Sequence, residues 1–158
     1  MGLLTPLAVR VGKLSFMPNY LPQIVATDQF IQKRTGGRLT ILDIAGLPNG
    51  MLTVTGRKSG LPRSTPLLSV PRAGGRSFLI AGSNFGGEKQ PVWVVNLEAN
   101  PEATFRTKGT TYPVTGRRLE GEERARAWQE MLAVWPNYAL YEQRTSREIK
   151  VFELTRTD

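Results

Sequence analysis

The chain of 158 residues contains neither cysteine nor histidine. That double absence removes thiolate nucleophiles, disulfides, Cys/His zinc sites and every Ser-His-Asp or Cys-His arrangement. With imidazole goes the side chain that shuttles protons near neutral pH. Long apolar runs are missing as well. From Met1 to Phe16, Leu3, Leu4, Leu7, Val9, Val11 and Leu14 are interspersed with Arg10 and Lys13, too broken a pattern for a signal-peptide core or a membrane span. Acidic residues are scarce, 13 Asp and Glu against 21 Lys and Arg, for a net charge of +8. A surface of this sign concentrates anions. Nucleic acid, an acidic membrane face and a phosphorylated small molecule all suit it. If the protein is an enzyme, its reactive chemistry is expected from a bound cofactor, with no metal site.

With 40% hydrophobic and 22% charged residues, the composition is globular, and the length suits one domain. Three regions follow one another. Residues 1 to about 50 read as an arm, helical at its ends, interrupted by Pro18, Asn19 and Pro22, with Gly36 and Gly37 stopping the Asp28–Arg34 run. Residues 51–119 are strand-rich. Met51–Thr55 is a β run, Ser64–Arg72 a second one turning at Ala73-Gly74-Gly75 into Ser77–Ala81, and Ala103–Lys108 with Thr111–Leu119 a further hairpin around Gly109. A helix over Val92–Leu97 follows Pro91 and is stopped by Asn100-Pro101. The last region predicts a helix from Glu120, Glu122 and Glu123 to Val134, a short helix over Asn137–Arg144 and a strand over Ile149–Leu154. Without sustained strand–helix alternation a doubly wound nucleotide fold is disfavoured. An antiparallel barrel with helices around it, in the α+β class, fits better.

Three clusters could carry chemistry. Arg57, Lys58 and Arg63 place three cations in one Gly-bounded loop suited to phosphate or carboxylate; a solvated turn would look the same, and the Walker spacing is absent. Ala81-Gly82-Ser83-Asn84-Phe85-Gly86-Gly87 lies between a strand and a helix, where backbone amides can face an anion or a planar ring; a plain connection has this composition too. Trp135, Tyr138 and Tyr141 recur every three residues and share one side of a helix, walling a pocket or forming core.

Taken together, four segments resemble the deazaflavin-dependent nitroreductase family of actinobacteria, in the branch that uses coenzyme F-420. They are Thr55-Gly56-Arg57-Lys58-Ser59-Gly60-x-Pro62-Arg63, Ser83-Asn84-x-Gly86, Pro91-x-Trp93-x-x-Asn96-Leu97-x-Ala99-Asn100-Pro101, and Pro136-x-Tyr138-x-x-Tyr141 ahead of Thr145-x-Arg147-x-Ile149. The likeness runs from about Leu52 to Leu154. It implies a split β-barrel of the FMN-binding-protein kind over residues 51–158, with residues 1–50 as an N-terminal helical arm. It also implies a reductase passing a hydride from the reduced coenzyme to a quinone, enone or nitroaromatic. On this resemblance Arg57, Lys58 and Arg63 hold the phosphate and carboxylates, with Ser64 and Pro66 beside the ring. Ser83 and Asn84 follow the ring or phosphate linker, and Val92 and Trp93 open the adjoining helix. Tyr138 is the implied hydrogen-bond donor to the acceptor, with Tyr141, Ser83 and Trp135 shaping its pocket. Family members often have tyrosine at the position of Trp135 and a basic residue at that of Asn84.

The resulting expectation is a cytoplasmic oxidoreductase, monomeric or weakly dimeric, with a small-molecule acceptor, no nucleic-acid partner and a peripheral membrane contact through the arm. Competing readings are a split-barrel protein using FMN or haem, a carrier of F-420, or a basic module for nucleic acid or anionic membrane. Against a nucleic-acid module, the Tyr and Trp residues are not interleaved with the cations as a stacking platform requires.

Overall fold

A computed structural model of the protein describes residues 4–14, 21–36 and 39–158; the expectations placed on Leu3, Phe16, Pro18, Asn19 and Gly37 lie outside them. The arm contributes α1 (Thr5–Gly12), α2 (Leu21–Arg34) and the single turn α3 (Ile41–Ile44). Pro22 does not interrupt: it lies in the first turn of α2, where the missing N–H has no intrahelical partner to lose. Thr40 and Asp43 cap α3 reciprocally, and buried Asp28 accepts a 2.7 Å bond from the Ile41 N–H, joining α2 to α3.

Seven strands then form one antiparallel sheet in the order β2-β1-β5-β6-β7-β4-β3. They are β1 (Asn49–Thr55), β2 (Pro62–Leu68), β3 (Val70–Arg72), β4 (Ser77–Ala81), β5 (Glu102–Thr107), β6 (Thr110–Leu119) and β7 (Val151–Arg156). The run Ser64–Arg72, expected as one strand, is two. β2 and β3 lie at opposite ends of the strand order, yet only Ser69 separates them. One intervening residue bridges no more than about 7–8 Å, so the two edges must meet and the sheet must curl into a barrel. Buried Ser69 donates its N–H to Pro48 O at 3.0 Å, leaving the ladder at the switch. Up to that point β2 and β4 approach without pairing, which leaves the barrel split.

Strand alternation divides the core in two. Leu52 and Val54, Phe78 and Ile80, Phe105, Val114, Phe152 and Leu154 point inward and meet Trp93, Val94 and Leu97 of α4 (Val92–Ala99), which plugs the barrel. The opposite faces of β4 and β7, through Leu79, Ala81 and Val151, meet α5 (Gly121–Val134) and α6 (Asn137–Arg144). Being covered on both sides, β4 is buried along its whole length. From β1 onward the expected hairpins and helices are present, with bounds shifted by at most two residues, whereas the Asp28–Arg34 run of the arm is the end of a helix that begins at Leu21.

Close packing inside the barrel sets a demand on β1. A Cβ built on Gly50 would lie 2.2 Å from Phe105 Cζ, and Phe105 is itself fully buried, with its ring centroid 4.9 Å from that of Phe78. We expect Gly50→Ala to cost about 1–3 kcal/mol in urea unfolding through overpacking. Phe105→Leu should cost less in the Gly50→Ala background than alone, because the shorter side chain relieves the clash.

Candidate functional site

Two loops pack against α4 and carry most of the residues expected at the ligand. At one end is the β1–β2 hairpin loop. Its Gly56 N–H donates to Leu61 O at 2.8 Å, and the Gly60 N–H to Gly56 O at 2.9 Å. The loop is tied to α4: the Arg57 N–H donates to Oδ1 of buried Asn96 at 3.0 Å, and Asn100 Nδ2 to Thr55 O at 3.1 Å. Arg57, Lys58 and Arg63 are exposed on this anchored loop and strand, and among the described residues none of them has an ion-pair partner.

Pairing register sorts the strand residues by face. Arg63 pairs with Val54 and Thr65 with Leu52, both inward-pointing positions, whereas Ser64 pairs with Thr53 and Pro66 with Met51 on the outer face. Ser64 and Thr53 hydroxyls share a 2.8 Å hydrogen bond there. A ligand along the free edge of β2 meets both sets; one lying against the inner face meets Arg63 and Thr65. The outer face also has a hollow of about 330 Å³, lined by Thr53, Thr55, Pro62, Glu102 and Thr104 among others. Its only charged lining residue is acidic, so it does not suit a phosphate-bearing ligand.

At the other end of α4 is the Gly82–Gly87 loop, where a Cβ on Gly82 would lie 2.7 Å from Val94 and 3.7 Å from Pro91. Ser83 has right-handed helical angles (φ −78°, ψ −36°), followed by Asn84 at φ +45° and Phe85 at φ +53°. A right-handed residue followed by a left-handed one turns successive N–H groups towards one concavity that favours anions. Among the described residues the N–H groups of Ser83, Asn84 and Phe85 have no acceptor. Asn84 Nδ2 donates to Lys89 O at 3.0 Å, while its Oδ1 is buried without a partner. Val92 is 70% exposed at the opening of α4. Trp93, by contrast, is buried, its indole 5.7 Å from the Phe152 ring in an edge contact. What Trp93 can offer a ligand is its first-turn N–H.

Trp135, Tyr138 and Tyr141 are brought together, but inside. All three are buried in the cluster between the sheet, α5 and α6, and Ala8 and Val9 of α1 pack against that cluster. The Tyr138 ring lies 5.2 Å from Trp128 and 6.1 Å from Tyr141. At 7, 3 and 1% exposure, Trp135, Tyr138 and Tyr141 present almost no ring surface to an acceptor in this conformation. Burial pushes the Tyr138 phenol far above its ordinary pKa. Tyr141 is raised for the same reason, with hydrogen bonding to Trp135 and Asn137 and the charge of Arg144 acting the other way. Both phenols therefore stay protonated donors at neutral pH.

Two arginines outside the expected set hold this region. Arg147 donates to Gly82 O, Ser83 O and Gly87 O at 2.9, 3.0 and 3.0 Å. Burial lowers its pKa, and the nearby Glu88 carboxylate opposes that shift. Arg144 donates to Phe85 O at 3.3 Å and also to Lys13 O of the arm. Asn96, the hairpin anchor, was missed too. Its signal was a lone amide inside the apolar run Val92–Leu97.

The site has, then, an unpaired basic hairpin, open backbone amides and a helix opening, all on α4 or on the two loops packed against it. That donor set suits a ligand carrying phosphate and carboxylates. Residues 25–156 match the family model described as F420H(2)-dependent quinone reductase. An F420H(2)-dependent quinone reductase of Mycobacterium tuberculosis is 32% identical over 137 residues, 85% of this chain and 91% of that one. The solved structure of an F420-H2 dependent reductase, FDR-A, shares 37% identity and a TM-score of 0.62 over 68% of this chain and 93% of its own. Another solved structure, described as a domain-swapped dimer, shares 33% identity and a TM-score of 0.65 over 82% of this chain and 93% of its own. The chain belongs to the F420H(2)-dependent quinone reductase family.

Proposed function

We propose that the protein binds reduced coenzyme F-420 in the split of the barrel and reduces a quinone, with enones and nitroaromatics as further acceptors. The observation that supports this reading is that one helix, α4, carries against it both the β1–β2 hairpin, whose three cations have no ion-pair partner among the described residues, and the loop with the open amides of Ser83–Phe85. When bound, the coenzyme supplies a hydride in a single two-electron step. Arg57, Lys58 and Arg63 hold the phosphate and carboxylate oxygens, and Ser83, Asn84 and the first-turn amides of Val92 and Trp93 fix the depth of the ligand. Ser64 and Pro66 flank it from the outer side of the edge strand. The apolar walls exclude water and keep donor and acceptor at transfer distance.

Tyr138 donates a hydrogen bond to the acceptor oxygen once α1 lifts, with Tyr141 and Trp135 forming the wall behind it. The arm, residues 1–50, is in this reading a unit laid over the barrel of residues 51–158. Its α1 supports that role. Thr5, Ala8 and Val9 face the protein, while Leu4, Leu7, Val11 and Leu14 are 46, 59, 41 and 40% exposed. Spacings of three, four and three put them on one stripe, with exposed Arg10 and Lys13 nearby. The more apolar side of α1 thus faces outward. We place this stripe on an anionic membrane surface, approached from the cytoplasm, where a lipid-soluble quinone resides. No helix among the described residues is long and apolar enough to cross a membrane, so the contact is peripheral. The protein acts as a monomer or weak dimer.

Purified protein should quench the fluorescence of F-420 and speed oxidation of the reduced coenzyme when menadione is added; absence of quenching overturns the reading. Lys58→Ala combined with Arg63→Ala should weaken coenzyme binding about ten- to a hundredfold at low salt and flatten its salt dependence, since fewer ionic contacts remain to be screened.

Tyr138→Phe should lower kcat by about ten- to a hundredfold, the worth of one directed hydrogen bond, at unchanged coenzyme affinity. Because the folded phenol titrates above its ordinary value, wild-type kcat should show no loss from Tyr138 ionisation between about pH 6 and 9. An inflection in that range that disappears in the Phe variant would contradict this assignment.

Leu7→Gln combined with Val11→Gln should abolish sedimentation with phosphatidylglycerol vesicles while leaving menadione turnover in solution within about twofold, because neither side chain belongs to the proposed coenzyme site. Equal sedimentation of variant and wild type would remove the membrane contact from the model of action.

A further inference from the structure

The Gly82–Gly87 loop adopts a shape its own residues do not favour. Asn84 and Phe85 follow one another at φ +45° and +53°, and only Gly86, at φ +77°, is a residue that tolerates that region freely. Each non-glycine residue there costs roughly 1–2 kcal/mol. Phe85 has neither the short polar side chain nor the small size that eases such a conformation. Local preference therefore opposes the loop, and contacts from elsewhere must hold it.

They come from the last turn of α6 and the short segment that links it to β7. Arg147 spends three donors on three carbonyls of the loop, Nε on Gly87, Nη1 on Gly82 and Nη2 on Ser83. Arg144 adds a fourth carbonyl, that of Phe85. In return Ser146 donates its N–H and hydroxyl to the two carboxylate oxygens of Glu88, at 3.3 and 3.2 Å. A Cβ on Gly86 would lie 2.7 Å from Tyr141 O, so the loop is pressed against α6 as closely as backbone allows. With the carbonyls of Gly82, Ser83, Phe85 and Gly87 turned to the arginines, the N–H groups of Ser83, Asn84 and Phe85 are left for a ligand.

We propose that Arg147 is the positioning residue of the cofactor site: it sets the Gly82–Gly87 loop in the one shape that presents those three amides to the ligand. This rests on the assignment of the site to coenzyme binding. Arg147 touches no ligand and acts through the loop backbone. A planar guanidinium offers five donors in a fixed fork and reaches three carbonyls at once; a lysine ammonium is a single point on a flexible stem and reaches one or two. Charge alone is therefore not enough, and the requirement is for fork geometry.

The test compares Arg147→Met and Arg147→Lys with Ser83→Pro and Arg72→Met. Ser83→Pro deletes one of the open amides, and Arg72→Met is a stability control that breaks the ion pairs to Glu130 and Glu153 away from the loop. Readouts are coenzyme affinity by fluorescence quenching, kcat with menadione at saturating coenzyme, and Tm. Both Arg147 variants should lose coenzyme affinity at least about tenfold, the equivalent of 1.4 kcal/mol, while kcat at saturation falls by less than about threefold. Arg147→Lys should recover little of the loss. Adding guanidinium at millimolar concentration to Arg147→Ala should restore affinity, as no general stabilising effect would.

Wild-type affinity in Arg147→Lys, or losses in Arg147→Met that match Arg72→Met in both Tm and affinity, would overturn the proposal. If Arg147→Met fails to fold, Arg147→Lys, which keeps the stem and the charge, carries the comparison. Failure of the underlying reading looks different: wild-type protein does not bind the coenzyme, or Ser83→Pro binds it as wild type does.

Discussion

A single residue, Ser69, joins two strands that lie at opposite edges of the sheet, and nearly everything else in the structure answers to that constraint. Edges linked by so short a connection cannot belong to an open sheet, so the sheet curls until it encloses an apolar interior. The interior must be filled from one open end, and α4, bearing Trp93, Val94 and Leu97, fills it. The same switch leaves β2 without a hydrogen-bonded neighbour on one side. A free edge within a buried architecture is a liability unless something covers it. Here the uncovered edge of β2 borders the proposed coenzyme site.

Rigidity at this site is supplied by side chain to backbone hydrogen bonds. Asn96 and Asn100 tie the hairpin to the plug helix, and Arg144 and Arg147 tie the opposite loop to the end of α6 and the linker that follows it. Loops bound in this way lose little further entropy when a ligand arrives, which is the advantage of a preorganised site. It also explains why a protein without histidine or cysteine can be an enzyme in this family. Its residues are asked to hold an anion and a ring in register, and for that amides, guanidinium groups and protonated phenols suffice.

Much of this was legible in the chain. The hairpin cations, the glycine-rich connection and the helix after Pro91 were located because charge, glycine and proline act locally. The break at Ser69 was not: Leu67-Leu68-Ser69-Val70-Pro71 alternates as one strand would, and the change of partner is a tertiary fact with no local marker. Spacing put Trp135, Tyr138 and Tyr141 on one side of a helix, but Trp135 ends α5 and only Tyr138 and Tyr141 lie on α6; which side of α6 faces core depends on α1 and α5, which pattern alone does not place. Arg147 was visible only as part of a motif. Its acceptors are carbonyl oxygens, which every residue has, so no residue type in the loop announces them. Register alone shows that Ser64 and Pro66 lie on the face of β2 opposite to Arg63, since strand alternation sends neighbours to opposite sides.

The excess of positive charge is also not evenly distributed. Away from the proposed site, acidic residues neutralise their neighbours: Glu98 accepts Lys150 and Arg118, Glu153 lies between Arg72 and Arg117, Glu148 faces Arg118 and Arg124, and Asp158 pairs with Arg156. Arg57, Lys58 and Arg63 have no such partner among the described residues. At physiological salt a field decays over about 8 Å, so a distant surplus would do little for a ligand at the split. Three uncompensated cations at its rim act within that range. Net charge on its own fitted nucleic acid, membrane and small anion equally. Other cations, among them Arg76, Lys89, Arg106, Lys108 and Arg126, also have no ion-pair partner among the described residues; what distinguishes the hairpin is that it gathers three of them on one anchored turn. A long polyanion would need an extended stripe, whereas a phosphate with a short carboxylate tail needs only that rim.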